Sequence, residues 1–175
     1  MTWRRAALYW AVFIALTAYY LTGVRETEQS AAHLTRAPFL NLAEDQVTAL
    51  ELRRGATVVR CRRSNGRWEV IEPAGRAVPP DLVTALIANL TQLPDVEVVA
   101  ESGSDLSQFG LQDPVSEITL TRTGGAPVVV RLGTRNPAGT AVYAQRTDSP
   151  RVFLIGLNVR YYEDLLLEAG RQKAA

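Results

Sequence analysis

Residues Ala6 to Val24 form an unbroken run of nineteen uncharged side chains, preceded by Arg4 and Arg5 and followed at once by Arg25 and Glu26. Read as a helix, the run spans about 28 Å, close to the hydrocarbon thickness of a bilayer. It predicts one transmembrane helix over 6–24. Trp3, Tyr9 and Trp10 toward one end and Tyr19 and Tyr20 toward the other, with Arg4 and Arg5, are the expected membrane-interface anchors. Inside the run, the Thr17 hydroxyl can bond back to its own helix. Positive flanks resist translocation, so residues 1–5 are expected to stay cytoplasmic and the rest to lie in the periplasm. A cleaved signal peptide is the alternative, with small residues at Ser30-Ala31-Ala32. The run exceeds an ordinary h-region of about 7–15 residues and ends well before that site, which favours a retained inner-membrane anchor.

The remainder predicts a connector over 25–38, a single extracytoplasmic α+β domain over 39–170 and a tail over 171–175. Arg25 to Arg36 holds good helix formers and no proline, so a continued helix and a flexible tether both remain open. Phe39, Leu40 and Leu42 are expected to tuck the connector under the domain, and Asn41 with Glu44 resembles a capping box.

Apolar alternation predicts strands over 46–53, 57–63 and 67–72, with Ser64-Asn65-Gly66 as a tight hairpin. Pro79-Pro80-Asp81 opens a helix whose stripe is Leu82, Val83, Leu86, Ile87, Leu90 and Leu93. A strand over 96–100 follows. In Ser104 to Pro114, Ser104 or Asp105 can cap a helical turn that Gly110 closes. Further strands are expected over 117–122, 127–132, 141–145 and 151–155. A last amphipathic helix carries Tyr161, Tyr162, Leu165 and Leu166 and stops at Gly170. The expected fold class is therefore α+β: an N-terminal transmembrane helix, then an antiparallel-strand-rich domain with two amphipathic helices. Its halves read as a duplicated meander–helix unit.

The residue inventory excludes much chemistry. His33 is the only histidine and falls in the connector, and the only lysine is Lys173. A histidine triad, a serine–lysine dyad and cysteine–histidine catalysis therefore lack their base. Cys61 is the only cysteine, which rules out an internal disulfide and, with one histidine, a zinc site. Its alternating neighbours place it on the buried face of a strand. Neither a phosphate-cradling nor a dinucleotide-binding glycine motif is present. Gly133 to Gly139 reads as a plain loop, and Asp105 and Asp113 read as caps rather than a glycosidase pair. No catalytic residue, cofactor or metal is expected.

Charge is distributed unevenly although the net formal charge is +1. Arg53 to Arg76 holds seven arginines and two acids, whereas Ala77 to Thr121 holds seven acids and no basic residue. Arg53, Arg60, Arg62, Arg63 and Arg67 form the candidate partner-docking patch, with a solvated sheet face as the plainer reading. No aromatics interleave with these arginines, so nucleic acid is not an expected partner.

The runs DQVTALELRRG, RWEVIEP, SDLSQFGLQDP and VRLGTRNPAGTAVYAQ before VFLIG resemble an uncharacterised bacterial domain-of-unknown-function family. The resemblance covers about residues 39 to 156 and rests on Trp68, Phe109-Gly110-Leu111 with Pro114, and Leu132-Gly133. It implies an N-terminal membrane helix, an extracytoplasmic α+β domain that is often repeated, and genes beside gliding-motility-type ABC transporters. It supplies no catalytic residues. The function expected is a non-catalytic accessory or structural subunit of a larger inner-membrane complex, such as a photosynthetic or respiratory assembly. Its partners are then membrane lipid and other integral-membrane or periplasmic subunits. The alternative is an auxiliary component of an ABC transport system that binds a polysaccharide, lipid or peptide.

Overall fold

From residue 36 onward the sequence alternates between apolar and polar side chains, and a period of two is what a half-buried strand requires. The computed structural model describes residues 3, 9–18, 36–75, 78–93, 95–101 and 105–171. They belong to two compact units, Met1–Thr35 and Arg36–Ala175.

In the first unit, residue 3 is helical and residues 9–18 form α1. Thr17 Oγ1 donates to the Phe13 carbonyl at 2.8 Å, the back-bond expected of it. Trp3, Tyr9 and Trp10 are exposed, whereas Arg4, Arg5, Tyr19 and Tyr20 lie outside the described residues. So do residues 25–35 of the connector, His33 included. The transmembrane helix expected over 6–24 is overturned: among the described residues, no helix is long and apolar enough to cross a membrane.

The second unit contains β1 (Arg36–Pro38), β2 (Val47–Arg54), β3 (Thr57–Ser64), β4 (Arg67–Glu72) and α2 (Pro80–Thr91). Then come β5 (Asp95–Ala100), β6 (Ser116–Arg122), β7 (Val128–Arg135), β8 (Ala141–Arg146), β9 (Val152–Gly156) and α3 (Asn158–Arg171). The strands make one sheet in the order β1-β5-β9-β8-β7-β6-β2-β3-β4, antiparallel at every junction. This corrects the duplicated unit as well. The first meander has three strands and the second four, and β2 pairs with β6 to fuse them. Each meander alone would leave an open edge at that seam, and pairing them satisfies both edges at once. Of the expected connector, Arg36–Pro38 becomes β1, at the sheet edge against β5.

Both helices pack on one face of the sheet and on each other. Leu50, Leu52, Val59, Cys61, Ile118, Leu120, Val130 and Leu132 project from the strands into that layer. Val83, Leu86, Ile87 and Leu90 of α2 close it, recurring at three- and four-residue spacing. Phe39 is fully buried and meets Phe153 edge to face at 5.3 Å, so the segment before β2 does pack under the domain. Asn65 takes φ 50° and Gly66 φ 77°, the left-handed pair that a two-residue hairpin turn demands.

Candidate functional site

Side chains on the second sheet face point away from the helices, and on β2, β3 and β4 they are mainly charged. Alternation puts Glu51 and Arg53, Arg60 and Arg62, and Arg67 and Glu69 there. Glu51 accepts from Arg53 Nη2 at 2.9 Å and from Arg60 Nε at 3.0 Å, and Arg60 also pairs with Glu72. The hydrogen bond from Arg60, then that from Arg53, holds the Glu51 carboxyl below its ordinary range. The same bond to Glu51 raises Arg60.

Of the five arginines in the candidate patch, the fold therefore brings four to one face. Arg53 is matched by Glu51 of its own strand, and Arg60 by Glu51 and Glu72 of the two neighbouring strands. Arg62 and Arg67 are exposed and make no ion pair among the described residues. Arg63 is not part of this surface: it stands in register with buried Trp68, on the helix side.

A second cluster is built around α3, on the helix side of the sheet. Arg160 and Glu163 sit on the buried stripe of α3, at 8% and 0% exposure. Arg160 Nη1 donates to Glu163 Oε2 at 2.9 Å and to Ser116 Oγ at 3.2 Å, and its Nη2 donates to the Gly133 carbonyl at 2.8 Å. From the end of β2, Arg54 Nε donates to Glu163 Oε1 at 3.0 Å and Arg54 Nη1 to Asp164. Arg54 Nη2 lies 2.7 Å from the same Glu163 oxygen without an aligned N–H, so it gains charge attraction but no hydrogen bond. Burial pushes the Arg160 pKa down, with Glu163 opposing it. Burial also weighs on Arg54, but Asp164 and Glu163 outweigh it and leave Arg54 raised. Two positive and two negative charges close this network on itself. Its geometry pins α3 to the ends of β2, β6 and β7. The one available signal was a pair of opposite charges at i, i+3 on an otherwise apolar helix face.

Beside it, the turn Leu106–Phe109 covers the second face over β7 and β8. Asp105 supplies the cap, accepting from the Ser107 amide at 2.9 Å, and Ser104 lies outside the described residues. Gly110 closes the turn at φ 65°. Thr134 Oγ1 donates to the Phe109 carbonyl at 3.2 Å, and the Phe109 and Tyr143 rings meet edge to face at 4.9 Å.

Cys61 is buried on β3, and burial alone pushes its thiol up to about 11 from an ordinary 9.0. An unfolded chain ionises this thiol near pH 9 while the fold keeps it neutral. Its stabilising contribution is thus complete below pH 9 and is lost as pH rises through 11. Urea unfolding of the native chain against Cys61→Ala should show the native chain losing about 2 kcal/mol more between pH 8 and pH 11. Parallel pH profiles for the two proteins would remove the thiol as the cause. No group of three or more His, Cys, Asp or Glu side chains is placed to hold a metal ion among the described residues.

The profile of a domain of unknown function, DUF4340, matches residues 68–172. The chain belongs to the DUF4340 family. The DUF4340 match runs from β4 to the end of α3. It contains Ser116, Gly133, Arg160 and Glu163 of the buried network and the whole Phe109-Gly110-Leu111 turn. Arg53, Arg60, Arg62 and Arg67 precede it, so the charged face is a feature of this chain that DUF4340 membership does not describe. No curated protein and no solved structure matches the chain.

Proposed function

We infer that this DUF4340 chain is a non-catalytic accessory subunit that docks an acidic partner protein through the outer face of β2, β3 and β4. The observation that carries this reading is the pair Arg62 and Arg67, exposed and without an ion pair among the described residues, on a sheet face that no described helix covers. Arginine suits such a role, because its planar fork grips carboxylates bidentately and loses little freedom on pairing. In the setting that the family resemblance implies, the partner is a subunit of an inner-membrane assembly and the domain works on its extracytoplasmic side. The exposed apolar side chains of α1, such as Trp10, Phe13 and Ile14, support attachment to an apolar surface there.

The deciding experiment compares two double variants in mild detergent extracts resolved by native electrophoresis. Arg62→Glu with Arg67→Glu should abolish co-migration with the partner while lowering stability by no more than about 1 kcal/mol, the cost of setting two exposed carboxylates beside Glu69. Arg53→Glu with Arg60→Glu should also weaken the fold, because each new carboxylate faces Glu51. Unchanged co-migration of the first variant would sink the docking face.

The ABC-transport setting is the second reading. What favours it is a polar groove on the same sheet face, between β7 and the β8–β9 turn.

A further inference from the structure

That groove has a volume of about 450 Å³ and is lined by Arg131, Gln145, Arg146, Thr147, Asp148 and Pro150, among others. Small-ligand sites commonly measure about 300–1,000 Å³. Arg131 and Gln145 are cross-strand neighbours on β7 and β8, which places both side chains on the face away from the helices.

Its hydrogen-bonding groups are only partly used. Arg131 Nε donates to Glu117 at 3.1 Å, and Arg146 Nε donates to Asp148 at 2.9 Å. Arg146 Nη1 donates to the Phe39 carbonyl at 2.6 Å. Both terminal nitrogens of Arg131, Nη2 of Arg146 and the Thr147 hydroxyl remain without a partner among the described residues. Gln145 is 7% exposed, and its amide nitrogen makes only a long 3.4 Å bond to the Pro150 carbonyl, leaving its oxygen as an acceptor.

Free donors and free acceptors thus sit side by side, while each guanidinium charge is already matched by a carboxylate. An anion needs a net positive site, and this one is neutral. A hydroxyl both donates and accepts, and planar guanidinium and amide groups hold neighbouring hydroxyls in pairs. We propose that this groove binds a neutral polyhydroxylated ligand, a short segment of a saccharide. The proposal deepens the transport reading by naming its ligand class. It concerns the chain alone, so its failure leaves the arginine docking face untouched.

The test is an amide-resolved NMR titration of the full chain in a detergent without a sugar headgroup. Cellotetraose, maltotetraose and tetra-N-acetylchitotetraose are the probes, with inorganic phosphate as the charge control. At least one saccharide should shift the amides of residues 131 and 145–149 with a Kd below about 10 mM. Thr147→Ala, at an exposed position, and Arg131→Lys, which keeps the charge opposite Glu117 but loses the fork, should each weaken binding about ten-fold. Absence of shifts with all three saccharides, shifts insensitive to both variants, or phosphate bound at the same residues more tightly than any saccharide would each overturn it.

Discussion

Replacing Glu163 with alanine is expected to cost about 3–5 kcal/mol of folding stability, read as the shift in the urea unfolding free energy. The carboxylate is wholly buried and each of its oxygens serves a different arginine: Oε2 faces Arg160 and Oε1 faces Arg54. Removing it leaves the guanidinium of Arg160 in the interior with only Ser116 and the Gly133 carbonyl as neutral partners. Arg54 keeps Asp164, which is half exposed and gives less. Glu163→Gln preserves the shape but sets an amide N–H against one guanidinium, so about half the loss should remain. Exchanging Arg160 and Glu163 together for leucine and methionine should be near neutral, because the cost lies in the uncompensated charge. A loss under about 1 kcal/mol for the alanine variant would mean that water reaches the network and solvates the arginines.

Gly133→Ala is the second change with a large expected effect, about 3 kcal/mol in the same measurement. A methyl group there would run into the Phe109 carbonyl oxygen and would stand 3.1 Å from Leu111 Cγ. Phe109 has little room to retreat. Its carbonyl accepts from Thr134, its ring packs on Tyr143, and Gly110 is itself pressed against Thr134. The cost comes from space rather than backbone strain, since Gly133 does not have a positive φ. Gly156→Ala is the control: nothing lies within 4 Å of that added methyl, and it should change stability by no more than about 1 kcal/mol. Equal effects at the two positions would exclude the close approach of turn and strand as the cause. Gly133 also presents its carbonyl to Arg160, so a displaced strand should lower the further cost of Glu163→Ala in the double variant.

Local pattern made most of the strands and α2 legible. Arg67–Glu72 lies where alternation placed it, and the Asn65-Gly66 turn and the Gly110 closure follow from residues that tolerate a left-handed backbone. The stripe of α3 was misread by one position. Tyr161, Tyr162, Leu165 and Leu166 looked like its apolar side, yet Val159, Arg160, Glu163, Leu166, Leu167 and Gly170 are buried and Tyr161 is exposed. Charged residues are assigned to solvent unless a partner is known, and Arg54 stands 109 residues away in sequence from Glu163. Gly170 does not stop the helix either; it lies within α3, close against Val59. The arginine patch was legible in part, because strand alternation separates Arg62 from Arg63. Arg53 pairs with Glu51 two residues away on its own strand, whereas the acids that neutralise Arg60 lie on the two neighbouring strands, and only the register brings them into line.

Sequence by itself determined the local periods of this protein, its turns and its single buried cysteine, since these depend on side chains a few residues apart. Tertiary structure alone decided that β2 and β6 fuse the two meanders into one sheet. It also decided that β1 comes from the connector and that a charged quartet holds α3 in place. Each of these joins residues far apart in the chain, and such pairings are selected by closing open edges and matching buried charges across the whole fold.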